Sequence, residues 1–181
     1  MGRKAFVRDR ILAAAFDLFA VRGYEAVSTR DIAAKAEVGP ASMFKAFPTK
    51  EQLGRELYTI ALAPIEREFA ALAATTPSPA AALTATVEIL YRMYDQRPRA
   101  LALLIFPPHD ITPWEVDRAN DGAVRAIIRR LTAQDDDGEA VLWGALTGPL
   151  ADRYLRRREG LMAPHAVAHA RRILPLLSFR P

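Results

Sequence analysis

The sequence predicts an all-α fold, with an N-terminal three-helix helix-turn-helix unit and a longer helical remainder. Three observations predict it. Apolar residues recur at helical intervals along most of the 181-residue chain. No segment reads as a strand. Residues 28–50, STRDIAAKAEVGPASMFKAFPTK, read as two short helices around a tight turn and the start of a third.

Residues 1–5 form a short basic arm with Arg3 and Lys4, which either reaches DNA phosphates or frays into solvent. The first helix is expected from about Phe6 to Arg22. Ile11, Leu12, Ala15, Phe16, Leu18 and Phe19 form its buried face, and Gly23 stops it. Ser28 is an N-cap for the second helix, and Asp31 stands where its carboxylate can reach back in a capping box. Ile32, Ala33 and Ala36 supply the apolar stripe. Gly39 breaks the pattern, because glycine takes backbone angles that other residues resist. Pro40 suits the first turn of the third helix, where its missing N–H costs nothing. Met43, Phe44 and Phe47 give that helix its apolar face, Pro48 ends it, and Thr49 caps the next.

The fourth helix runs from near Thr49 through Leu53, Leu57, Ile60, Ala61 and Ile65 to about Ala73, with a kink expected at Pro64. Its first turn presents N–H groups and Lys50, a cation at the end that disfavours one, which suits a phosphate. Thr75-Thr76-Pro77-Ser78-Pro79 is a loop. The fifth helix, Ala80 to Gln96, carries Leu83, Val87, Leu90, Tyr91 and Tyr94 on one side. The sixth, Arg99 to Phe106, follows Pro98 and is nearly all apolar, hence buried. Pro107-Pro108-His109-Asp110 breaks it. Pro113 and Trp114 open a seventh helix to about Thr132, and Gln134 to Gly138 form an acidic loop. The eighth helix spans Glu139 to about Arg158. Gly144 and Gly148 give it a smooth strip for close helix approach, and Pro149 bends it. The ninth starts at Pro164, with Val167, Ala170, Ile173, Leu174 and Leu177 at seam-like spacing.

Composition narrows the class. At 51% hydrophobic residues the chain can bury a sizeable core. It has no cysteine, which excludes disulfides and cysteine-based metal or redox sites and fits a reducing cytoplasm. No apolar run is long enough for a bilayer, and Asp9, Arg10 and Asp17 interrupt any signal-like segment, so a cytoplasmic protein is expected. Residues 1–50 hold nine Lys/Arg against five Asp/Glu, and residues 51–181 hold sixteen of each. The net positive charge therefore lies in the helix-turn-helix part, the footprint of phosphate binding.

Residues 8–53 resemble the N-terminal domain of the tetracycline-repressor (TetR) family of transcriptional regulators. The resemblance rests on Ile11 to Ala15, Leu18-Phe19, Gly23-Tyr24, Ser28-Thr29, Asp31-Ile32-Ala33, Ala36, Val38, Phe44, Phe47 and Lys50-Glu51-Gln52-Leu53. The sequence departs from the family pattern at Glu37, where the turn usually has Gly. Gly39 replaces a usual Ser or Thr cap, Phe44 a common Tyr, and Ala46 a common His. The resemblance implies a helix-turn-helix domain over 1–48 and a helical ligand-binding and dimerisation domain over 49–181. It implies a homodimer that binds a double-stranded DNA operator, most simply as a repressor released by a small-molecule effector. In such motifs the second helix enters the major groove. Ala41 and Ser42, after Pro40, should then touch bases, with Phe44 against the sugar-phosphate edge. Thr29 with Arg30, Lys45, Lys50 and the arm residues Arg3 and Lys4 should meet phosphates. The last two helices should form the dimer interface through Leu146, Leu150, Val167, Ala170, Leu174 and Leu177.

No catalytic constellation and no cofactor motif stands out, so no enzyme is expected. His165 and His169 lie four apart but lack a third metal ligand, and no metal is expected. Arg153, Arg156, Arg157 and Arg158 cluster at a helix C-terminus, where cations are favoured anyway. Leu90, Tyr91, Tyr94, Phe106, Trp114 and Trp143 are candidates for an apolar ligand pocket, though each can equally fill core. The pocket chemistry suits an apolar or aromatic effector. The alternative is a helical ligand- or partner-binding protein whose helix-turn-helix has lost tight DNA contact.

Overall fold

The computed structural model describes residues 3–75, 78–106, 122–133 and 136–177. The described residues are helical, without strands, as α1 (Arg3–Arg22), α2 (Thr29–Lys35), α3 (Pro40–Ala46), α4 (Lys50–Thr75), α5 (Pro79–Gln96), α6 (Pro98–Ile105), α7 (Ala123–Leu131), α8 (Asp136–Leu155) and α9 (Ala166–Ile173). Short 3-10 turns at Ala163–His165 and Leu174–Leu176 flank α9.

Local chemistry explains most boundaries. Ser28 Oγ accepts from Asp31 N–H at 3.1 Å, and Asp31 Oδ2 accepts from Ser28 N–H at 2.9 Å, so the capping box forms as expected. Those hydrogen bonds hold the Asp31 carboxyl below the usual carboxylate range. Thr49 Oγ1 accepts from Gln52 N–H, and Ser78 Oγ from Ala81 N–H, capping α4 and α5. Pro40, Pro79 and Pro98 each open a helix at its first turn. Glu66 of α4 caps α7 from outside, its Oε2 accepting from Ala123 N–H at 2.9 Å.

Several expectations need correction. α1 begins at Arg3, so residues 3–5 extend a helix and are not a separate arm. α8 begins at Asp136, so Asp136 to Gly138 of the expected acidic loop lie in a first helical turn, where the dipole favours acidic residues, and Gln134 and Asp135 lie outside the described residues. α8 stops at Leu155, and Arg157 at φ 49 lies beyond it. The expected start of the seventh helix at Pro113-Trp114 lies outside the described residues.

The buried apolar residues form one continuous core from Ile11 on α1 to Ile173 on α9. α4 runs through it, packing against α1 at one end and against α5, α6 and α7 along its length; α1 also packs on α6, and α9 packs on α5. Two polar links tie α1 to the C-terminal helices. Arg99 Nη1 on α6 donates to Asp17 Oδ1 at 3.1 Å, and Tyr154 Oη on α8 donates to Ala20 O at 2.5 Å. Glu139 on α8 is 2% exposed and pairs with Arg125 and Arg129 of α7, each at 3.0 Å.

Burial also corrects the interface expectation. Leu146 and Leu150 are fully buried, and Ala170 is 2% exposed, all within one protomer. They cannot meet a partner without unpacking the core. The exposed apolar residues of the same helices are Val141 and Leu155 on α8 and Val167 on α9. Leu174 and Leu177 are half-buried against the core.

Candidate nucleic-acid interface

The helix-turn-helix is built inward before it faces outward. Ile32, Ala33, Ala36, Met43 and Phe47 are buried in the same core as Ile11, Ala14 and Ala15 of α1. Phe44, expected on that apolar face, is instead 54% exposed. The turn between α2 and α3 follows from the backbone. Glu37 N–H bonds Ala34 O at 3.1 Å, and Val38 N–H bonds Ala33 O at 3.0 Å. This is the Schellman pairing, which requires a left-handed residue just past the helix. Glu37 takes that position at φ 51. Gly39, expected to supply unusual angles, has an ordinary φ of −70 and is the N-cap of α3, with no side-chain cap. The glycine is thus two residues away from where the backbone could use glycine's freedom.

Glu37 is not left alone. Arg10 Nη2 donates to Glu37 Oε2 at 2.8 Å and to its carbonyl at 3.4 Å. A second arginine organises the recognition helix. Arg8 Nη1 donates to Ala46 O at 2.9 Å, its Cζ lies 4.3 Å from the Phe47 ring centroid, and it pairs with Glu56 of α4. Sequence reasoning missed Arg8, because its partners lie 38 and 48 residues away.

With that frame fixed, the side chains left outside are those proposed for DNA. Pro40, Ala41, Ser42, Phe44 and Lys45 of α3 are exposed, as is Arg30 of α2, while Thr29 is half-buried. α3 therefore presents small and polar groups in its first turn, a shape compatible with close approach to base edges. Lys50 opens α4 with its Nζ 4.1 Å from the Tyr24 ring centroid. The ring holds the ammonium by cation–π attraction, a second role that a lysine at a helix start did not announce. Arg3 and Lys4 lie in the first turn of α1.

The described ligand-pocket candidates lie on α5, on α8 and at the end of α6. Leu90, Tyr91 and Tyr94 are buried on α5, and the Tyr91 hydroxyl is hydrogen-bonded to His169 Nδ1. Burial pushes the Tyr91 and Tyr94 phenols up. Trp143 is half-buried on α8, and Trp114 lies outside the described residues. Two clefts flank α6. One, of about 420 Å³, is bordered by Phe16, Ile60 and Arg97; the other, of about 230 Å³, by Phe19, Phe106 and Tyr154. Leu90, Tyr91, Tyr94 and Trp143 border neither.

Among the described residues no three His, Asp or Glu side chains gather as a metal site, and no helix is long and apolar enough to cross a membrane. The arginine cluster at the end of α8 is engaged locally. Arg153 donates to the Glu159 and Gly160 carbonyls, and Arg156 and Arg158 pair with Asp152.

Residues 11–57 match the family model described as bacterial regulatory proteins, tetR family. The chain is 56% identical over 47 residues to the HTH-type transcriptional repressor Rv3405c of Mycobacterium tuberculosis (strain ATCC 25618 / H37Rv). It is equally similar to the HTH-type transcriptional regulator Mb3439c of Mycobacterium bovis (strain ATCC BAA-935 / AF2122/97). These matches take in 26% of this chain and span a quarter (25%) of the length of the curated relatives. Over the whole fold, the chain resembles the TetR family transcriptional regulator PfmR from Thermus thermophilus, with a TM-score of 0.66 at 23% identity, covering 92% of this chain and 98% of that one. It also resembles a TetR-like transcriptional regulator from Rhodococcus sp. RHA1, with a TM-score of 0.70 at 20% identity, covering 97% and 98%. The matched segment is the one whose caps, turn and outward face are described above, and over it the chain is similar to the tetR family of bacterial regulatory proteins.

Proposed function

We propose that this protein is a dimeric, cytoplasmic, DNA-binding repressor of transcription, released from a near-palindromic operator by a small apolar or aromatic effector. The observation that carries it is α3, held from behind by Met43, Phe47 and Arg8 while Pro40, Ala41, Ser42 and Lys45 face outward. Residues 1–48 serve DNA, and residues 49–181 serve ligand and partner. Ala41 and Ser42 read bases, Phe44 packs on the sugar-phosphate edge, and Thr29, Arg30, Lys45, Lys50, Arg3 and Lys4 meet phosphates. The dimer brings two copies of α3 one helical turn of DNA apart, roughly 34–36 Å. The face that pairs them is the exposed side of α8 and α9, with Val141, Gly144, Gly148 and Val167. An effector that binds better to a form with another spacing shifts the population off DNA. The protein acts by binding, with no enzymatic step.

Gel shift on the DNA flanking its own gene, at two salt concentrations with non-specific competitor, tests the reading. A specific complex that weakens with salt is expected. Lys50→Ala should lower affinity on every sequence and reduce the salt slope by about one; unchanged affinity and slope would remove Lys50 from the interface. A second reading, a ligand- or partner-binding protein with a weakened helix-turn-helix, draws on the exposed Glu37 carboxylate and the missing side-chain cap at Gly39. Weak binding, equal on any sequence, favours it.

A further inference from the structure

The 420 Å³ cleft sits where the DNA-binding helices meet the rest of the chain. Phe16 of α1, Ile60 and Ala61 of α4, and Arg97, Arg99 and Ala100 at the start of α6 border it. Its volume is that of a small-molecule site, well short of a macromolecular groove. Its floor is apolar. Ile60, expected in the buried stripe of α4, is 52% exposed there, and Phe16 is half-buried. Its rim is cationic, and among the described residues none that borders the cleft is acidic. Arg97 is exposed and pairs with no carboxylate among the described residues, whereas Arg99 pairs with Asp17, which also faces Lys35 at 3.4 Å.

We propose that this cleft binds an amphipathic anion, an apolar chain or ring carrying one carboxylate or sulfonate, with the apolar body on Phe16 and Ile60 and the anion between Arg97 and Arg99. Each part of the ligand answers a part of the cleft. Apolar surface covered by a chain or ring leaves water, and a carboxylate or sulfonate matches the fork of an arginine. The site lies apart from the α5 residues Leu90, Tyr91 and Tyr94, none of which borders it. Its position gives it a consequence. Arg99 is one of the links between α6 and α1, and an anion that recruits Arg99 leaves Asp17 to Lys35 alone. Binding would thereby loosen α6 from the helix that carries Arg8 and the recognition frame. Only this last step rests on the protein being a ligand-responsive DNA binder; the binding site itself does not.

The test is fluorescence titration of the full chain with 1-anilinonaphthalene-8-sulfonate and with its neutral analogue N-phenyl-1-naphthylamine. Saturable sulfonate binding, one per protomer, is expected. Arg97→Glu should weaken it about tenfold, the scale of one charge-assisted contact, and leave the neutral probe unaffected. Ile60→Glu, a change at an exposed position, should weaken both probes. Sulfonate affinity that is the same in Arg97→Glu as in wild type would overturn the proposal, and binding to an interior cavity would give that result. Equal affinity of wild type for the two probes would overturn the anionic class. Neither result depends on the gel shift, so loss of this site and loss of the DNA-binding reading are separately visible.

Discussion

The guanidinium of Arg8 lies over the ring of Phe47, its Cζ 4.3 Å from the centroid. That contact joins α1 to the residue ending α3. The same guanidinium donates to Ala46 O at 2.9 Å and pairs with Glu56 on α4. One side chain thus satisfies a carbonyl at the end of the recognition helix, covers an aromatic ring and reaches the helix beyond. The orientation of α3 relative to its neighbours is set by a planar cation as much as by the apolar residues beneath it.

Arg8→Ala should lower stability by about 1–2 kcal/mol, the scale of a charge-assisted hydrogen bond plus a partly exposed cation–π contact. The value stays modest because the Arg8 and Glu56 side chains are 42% and 30% exposed, where water screens the pair. Arg8→Lys should not restore it, since an ammonium cannot stack and fork at once. Urea unfolding of the three proteins checks this; a lysine variant as stable as wild type would reduce Arg8 to a point charge.

Glu37 holds a left-handed φ of 51 in the helix-turn-helix turn. An L side chain there costs about 1–2 kcal/mol relative to glycine, whereas its exposed pair with Arg10 returns about 0–1 kcal/mol. Glu37→Gly should therefore stabilise the protein by roughly 0.5–1 kcal/mol, seen as a higher urea midpoint at unchanged slope. Glu37→Val should destabilise it. If the glycine variant is the weaker protein, the Arg10 contacts outweigh the backbone strain.

These two arginines mark where sequence reading stops. Ser28, Asp31, Thr49, Pro40 and Pro98 act on neighbours within four residues, so their roles were legible, whereas Pro79 was read as loop and opens α5. The outward face of α3 was mostly legible for the same reason, Met43 and Phe47 fixing the inward side, while Phe44, read both onto the apolar face and toward DNA, is exposed. Arg8 and Arg10 act across 38 and 27 residues, and no local pattern encodes that. α8 failed differently. Its apolar residues surround the helix, so periodicity did not distinguish buried Leu146 and Leu150 from exposed Val141 and Leu155. The ligand-pocket candidates stay open for another reason, that bulky residues at helical spacing fill a core and line a cavity equally well.

His169 gives a pH dependence of known sign. Burial, with Arg172 nearby, holds its imidazole below the ordinary value of 6.5 while Nδ1 bonds the Tyr91 hydroxyl. Above pH 6.5 both folded and unfolded chains carry it neutral, and its contribution is complete. As pH falls below that value the unfolded chain takes up a proton that the folded chain refuses, so stability declines until the folded-state pKa is passed. Unfolding midpoints measured from pH 7.5 to 5 should fall in wild type and flatten in His169→Asn, which keeps an acceptor without titrating. Parallel curves for the two proteins would place the pH dependence elsewhere.

Gly144 and Gly148 on α8 offer the most direct test of the proposed dimer face. A Cβ built on either would meet nothing within 4 Å among the described residues of the protomer. Packing within one chain therefore does not ask for glycine, and helix propensity opposes it by about 1 kcal/mol each relative to alanine. A partner helix pressed against this strip does ask for it, because small residues let two helix axes approach closely. In a two-fold dimer the same strip lies on both sides, so one substitution acts twice. Gly148→Glu should then leave far-UV helicity intact, shift sedimentation from dimer to monomer, and lose specific operator binding, since one recognition helix cannot span two half-sites. The protomer is unharmed by the change in either case, so a dimer that persists with undiminished DNA affinity would move the interface off Gly148 and leave the strip without a partner.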